Sequence, residues 1–159
     1  MATGYDRAKA ISYAQRWALH RNPAYLDFHG LGGDCTNFVS QCLYAGCGVM
    51  NDTPTYGWYY IDANHRAPAW TGVEYLYRFL TTNAGRGPYA RETSRADIVL
   101  GDIVQLGMPG EPYSHAALVV GMKDGELYVA AHTIDAWLRP LSAYRQPNRR
   151  FLHVEGARR

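Results

Sequence analysis

Apolar residues recur at helical spacing in the first half of the chain and at strand spacing in the second. Over 7–21, Ala10, Ile11, Ala14, Trp17 and Ala18 form one inward face, with Asp6 placed to cap it and Asn22-Pro23 to stop it. Over 35–44, Cys35, Phe38, Val39, Cys42 and Leu43 fall at i, i+3, i+4, i+7 and i+8, after the breaker Gly32-Gly33 and the N-cap candidate Asp34. Over 72–82, Val73, Leu76, Tyr77 and Leu80 share a face behind the capping-box pattern Thr71-Gly72-Val73-Glu74. The period then shortens. Strands are predicted over 102–106, 114–122, 126–133 and 151–155, and Asp124-Gly125 marks a hairpin between the second and third. Helices followed by hairpin-linked strands predict an α+β fold, with N-terminal helices packed on an antiparallel sheet.

The stretch 45–70 has no period but carries Tyr56, Trp58, Tyr59, Tyr60 and Trp70. Two readings stand: a loop pinned to the body by its rings, or the wall of a substrate groove formed by Trp58, Tyr59 and Trp70. No linker or repeat divides the chain, and 159 residues suit one domain over 1–159.

The net charge of +2 is small and the basic residues are scattered, so no nucleic-acid partner is implied. No apolar run approaches the roughly 20 residues of a transmembrane helix. The polar opening Met1-Ala2-Thr3-Gly4-Tyr5-Asp6 does not read as a secretory signal, which suits a cytoplasmic protein, or an extracellular or cell-wall domain excised from a longer one. Three cysteines are an odd number in a chain too large to need stapling, so a disulfide framework is not expected; Cys42 and Cys47 are the pair a bridge would join.

The chemistry centres on Cys35. At the first turn of a helix the backbone N–H groups lack partners and the dipole is positive, which favours a thiolate. His115 opens one strand of the hairpin and His132 closes the other, so the turn brings both to one sheet edge. With the cysteine helix across that edge, Cys35 is the nucleophile, His115 the base and His132 the group orienting the His115 ring. The Cys35 N–H would bind an oxyanion, with Asp34 and Thr36 flanking as support. Asp135 is the alternative third residue. Each residue taken alone is more often structural than catalytic; the joint arrangement carries the inference. A cysteine with two histidines also suits zinc with an open position, but no CxxC or HxxxH spacing accompanies them, and no metal or cofactor is expected.

The run Gly-Gly-Asp-Cys-Thr-Asn-Phe-Val-Ser-Gln, continued by Cys-Leu-Tyr-Ala-Gly, closely resembles the nucleophile helix of the "putative amidase domain" family, itself similar to NlpC-type and CHAP cysteine amidases of papain-like fold. Tyr5-Asp6-Arg7, Tyr13-Ala14, Asn22-Pro23, Phe28, Trp58-Tyr59-Tyr60 and Ala69-Trp70-Thr71 extend the likeness. So do Gly101-Asp102-Ile103-Val104-Gln105, Ser114-His115, His132-Thr133 and Pro140-Leu141-Ser142. Gly46-Cys47-Gly48 departs from the Gly-Gly expected after the helix. The resemblance implies a papain-like cysteine amidase or peptidase with Cys35 as nucleophile and His115 as base. Its third residue would be His132, as in NlpC-type enzymes, or Asp135. By the same resemblance the substrate would be a peptide from bacterial cell-wall peptidoglycan, cleaved through an acyl-enzyme. The alternatives are a non-catalytic wall- or partner-binding module on the same scaffold, and an acyltransferase.

Overall fold

The computed structural model describes residues 4–159; residues 1–3 of the polar opening lie outside it. Helix α1 (Arg7–Trp17) starts where Asp6 accepts a hydrogen bond from the Lys9 N–H at 3.1 Å. Helix α2 (Cys35–Cys47) runs a turn beyond the predicted 35–44, because Gly48 adopts the left-handed conformation that closes it. Two short strands, β1 (Tyr60–Asp62) and β2 (His65–Arg66), and the one-turn helix α3 (Pro68–Thr71) occupy the aperiodic stretch. Helix α4 (Val73–Thr82) follows, without the expected capping box: Gly72 is its N-cap, no side chain caps it, and Glu74 pairs with Arg150 instead.

The main sheet comprises β3 (Gly87–Thr93), β4 (Ile103–Gly107), β5 (Tyr113–Lys123), β6 (Glu126–Ala131), β7 (Ala136–Pro140) and β8 (Asn148–Arg158). It is antiparallel throughout, in the order β3-β8-β4-β5-β6-β7. The α+β arrangement of helices on an antiparallel sheet is therefore present. Alternate residues of the central strands enter two cores. Ile103, Ala116, Leu118, Ala130 and Leu152 meet Ala10, Ala14, Phe38, Val39 and Leu80 of the helices. Val104, Leu106, Ala117 and Val119 pack on the other face with Ile98 and Leu141. Among the described residues no helix is long and apolar enough to cross a membrane.

Helix α2 is the buried axis of the first core: eleven of its 13 residues are buried. Its polar residues are partnered one by one. Ser40 donates to the Trp70 carbonyl at 2.9 Å and accepts from Trp58 Nε1 at 3.0 Å. Asn37 accepts from Trp70 Nε1 at 3.0 Å, and the Tyr13 hydroxyl donates to Gln41. Both indoles have 0 % exposure, with ring centroids 4.6 Å apart. This overturns the groove expectation for Trp58 and Trp70, whose faces are spent on the core; Tyr59 between them is only half-buried. The stretch 45–70, with the end of α2, two short strands and most of α3 within it, is pinned to the body by its rings. Cys35, Cys42 and Cys47 are all buried free thiols, so Cys42 and Cys47 are not bridged.

Candidate functional site

Gly32 and Gly33, with φ of +98° and +100°, make the turn that delivers the chain into α2. Asp34 stands at the N-cap position but makes no side-chain cap bond, so the N–H of Cys35 at the positive end of the helix is not taken by it. The Cys35 sulfur lies 3.8 Å from the Thr36 hydroxyl, and the backbone at Thr36 and at Ala116, the residue after His115, favours its thiolate form. Burial nevertheless pushes the Cys35 thiol up, those groups pull it down, and the Asp34 charge adds to the rise. The easily ionised thiol expected from the helix start is not what the structure has, because burial outweighs the helix terminus.

The Asp34 carboxylate is turned inward. One oxygen accepts from the Phe28 N–H at 2.8 Å and from Asn37 Nδ2 at 2.9 Å. The other meets His132 Nδ1 at 2.5 Å, with Arg21 Nε 3.7 Å away. His132 Nε2 lies 2.8 Å from the Trp17 carbonyl, and its ring stacks on Phe38 at 4.2 Å. A carbonyl only accepts, so Nε2 donates to it, and Nδ1 faces the Asp34 carboxylate. With both nitrogens taken, His132 does not orient His115 as expected; it fastens the start of α2 to the end of β6 and to α1. Asp135 is not aimed at His115 either: Arg21 grips it with two bonds of 2.9 and 3.0 Å.

His115 lies on the second face of the sheet, where its ring sits 5.4 Å from that of Tyr144. Its Nε2 is buried with no hydrogen-bond partner among the described residues. Burial, helped by the charge of Arg139, lowers its pKa from 6.5 to about 4, so the imidazole is neutral at pH 7. No hydrogen bond joins the His115 ring to the Cys35 sulfur in this arrangement. A cavity of about 290 Å³ opens beside His115, with Thr133, Arg139, Tyr144, Arg145 and Gln146 in its lining. Among the described residues no cluster of His, Cys, Asp and Glu is grouped as metal ligands would be.

The family model described as "Putative amidase domain" matches residues 4–154. The chain belongs to that family. Cys35, His115, His132 and the cavity all lie within the matched span. The uncharacterized protein YhbB of Bacillus subtilis (strain 168) is 30 % identical to this amidase domain over 138 residues, covering 85 % of the chain and 43 % of YhbB. The chain thus spans less than half the length of that curated relative. No solved structure matches it.

In the amidase domain the predicted residues fall into two groups. Cys35, Thr36 and the segment at His115 and Ala116 come together; Asp34 and His132 form a separate couple beside Cys35. Tyr144, Arg139 and Arg21 also belong to the site, though the sequence carries no motif that marks them. Tyr144 follows the short 3-10 turn Leu141–Ala143, inside a stretch without period. Arg21 binds Asp135, 114 residues away, and that pairing leaves no trace in the local sequence.

Proposed function

We propose that the chain is a cysteine-nucleophile amide hydrolase of papain-like, NlpC/CHAP-related type, acting on peptide bonds of cell-wall peptidoglycan, with residues 1–159 as one catalytic domain. The observation that carries this is Cys35, buried in the first turn of α2 beside the Thr36 hydroxyl, with the backbone of Ala116, the residue after the buried, neutral His115, acting on its sulfur. The resting pair is thiol and neutral imidazole. Proton transfer therefore accompanies attack: sulfur bonds to the amide carbonyl carbon as its proton passes to His115, which first moves into hydrogen-bond reach of the sulfur. The Cys35 N–H stabilises the developing oxyanion. His115 then protonates the leaving nitrogen as the C–N bond breaks. Water, deprotonated by His115, cleaves the thioester to free acid and thiol. Asp34 and His132 act as positioning residues that hold the first turn of α2. The peptidoglycan assignment rests on resemblance to NlpC-type and CHAP enzymes.

The test is purified Cys35→Ala against wild type on peptidoglycan fragments, scored by released amine. Loss of all release with an unchanged circular dichroism spectrum is expected; retained release overturns the nucleophile assignment. Retention on sacculi without amine release from the wild type would identify a binding module.

A further inference from the structure

Five buried side-chain polar atoms lack a hydrogen-bond partner among the described residues, and three of them, His115 Nε2, Arg139 Nε and Tyr144 Oη, belong to residues lining the cavity beside His115. Buried polar atoms are normally satisfied, so three around one cavity mark a place built for a polar guest. Arg139 and Tyr144 are donors, and burial raises the Tyr144 hydroxyl, which keeps its proton. The Arg139 guanidinium lies over the Tyr144 ring, 4.4 Å from its centroid, and its Nη2 reaches the Ala143 carbonyl at 3.2 Å, which fixes its plane. Exposed Arg145 lines the same cavity, and no acidic side chain does. Neither arginine has a carboxylate partner among the described residues, and the neighbouring Asp135 is held by Arg21. Cations and donors without an anion describe a receptor for one.

We propose that this cavity is a carboxylate-binding subsite, in which Arg139 and the Tyr144 hydroxyl, with Arg145 beside them, hold a side-chain or chain-terminal carboxylate of the substrate next to the amide to be cut. Its being a substrate subsite rests on the hydrolase reading above; the binding of a carboxylate there does not. The carboxylate would engage the planar edge of the guanidinium that Nε leaves unused. A neutral amide of the same shape would place its NH₂ group against donors and lose that interaction.

The test is a titration of ¹⁵N-labelled Cys35→Ala protein with four probes: acetyl-glutamate N-methylamide, its acetyl-glutamine counterpart, acetyl-alanine with a free carboxylate, and acetyl-alanine N-methylamide. Each anion is expected to bind about tenfold or more tightly than its neutral counterpart, the worth of one charge-assisted hydrogen bond. The shifts should centre on Thr133, Arg139 and Tyr144. Which anion binds better identifies a side-chain or a terminal carboxylate as the occupant. Arg139→Gln should abolish the preference with the rest of the spectrum unchanged, and Tyr144→Phe should reduce it should Arg139→Gln fail to fold. Equal affinity for anion and amide, shifts elsewhere, or no binding overturns the subsite. Carboxylate preference without amide cleavage by the wild type would sink the hydrolase reading and leave the subsite standing; cleavage without the preference would do the reverse.

Discussion

Asp34 and Asp102 are both fully buried, and each takes a histidine Nδ1, an arginine and a backbone N–H. Asp102 accepts from Arg7 at 2.7 Å, from the Val154 N–H and Val99 N–H at 3.0 Å, and pairs with His153 at 2.9 Å. It ties α1 to β8 and to the loop entering β4. Asp34 keeps its arginine at 3.7 Å and draws His132 to 2.5 Å. Arg21 is shared with Asp27 and Asp135, so His132 is the nearer counter-group. His153 is 24 % exposed at its side chain, whereas His132 is 1 %. The same device thus serves two ends. Around Asp102 it only fastens elements together. Around Asp34 it fastens the residue that precedes Cys35. A buried aspartate–histidine couple is therefore no sign of catalysis in itself, and of these three histidines His115 alone has no carboxylate partner.

The sharpest way to break this comparison is to remove each charge. Asp34→Ala and Asp102→Ala should each cost about 3–5 kcal/mol in urea denaturation, as expected when one member of a buried ion pair is lost. At a temperature where both remain folded, only Asp34→Ala should abolish amide cleavage. Equal activity in the two would reduce Asp34 to a fastening like Asp102.

Next comes His115. Its folded pKa lies near 4 against 6.5 for the ordinary group, so below about 6.5 the unfolded chain takes a proton that the fold refuses. Stability should be full above that pH and fall by up to about 3 kcal/mol as the pH drops toward 4. Melting curves of wild type and His115→Gln should differ in this acid limb, and a limb unchanged in the variant would contradict the neutral buried imidazole. A smaller effect separates the two paired histidines: His132→Gln should cost about 2 kcal/mol and His153→Gln about 1, since one pair is dry and the other partly wet. Smallest is Trp58→Phe, which should lose about 1 kcal/mol through the Ser40 bond and leave KM unchanged. A raised KM would return Trp58 to the substrate groove.

Burial explains which elements were legible in the sequence. β4, buried along its whole length, and the hairpin of β5 and β6 read directly from their apolar runs and the Asp-Gly turn. The two unpredicted strands of the main sheet, β3 and β7, are its two edges. An edge strand is covered less and so writes a weaker alternation; β3 reads Gly-Pro-Tyr-Ala-Arg-Glu-Thr and β7 Ala-Trp-Leu-Arg-Pro. At the site, the helix-start cysteine and the strand-start histidine were visible because their positions are local. The partner of His132 was not, because Asp34 lies 98 residues away and was read as a cap. The thiol's elevation was missed for a related reason: helix position is written in the sequence, and depth of burial is not.

The partnering of α2 bears on how members of this family are told apart. Asn37, Ser40 and Gln41 answer to Trp70, Trp58 and Tyr13, none of which touches the reacting atoms in the mechanism proposed. Most of the letters that make the stretch after Gly33 so distinctive thus encode a fit between a helix and its casing. A descendant that exchanged Cys35 for alanine or glycine would keep that fit, fold alike and still score as kin while lacking the thiol that the proposed mechanism uses. On the proposed mechanism, the letters that bear on activity are Asp34 and Cys35, and the run from Asn37 to Gln41 certifies the scaffold.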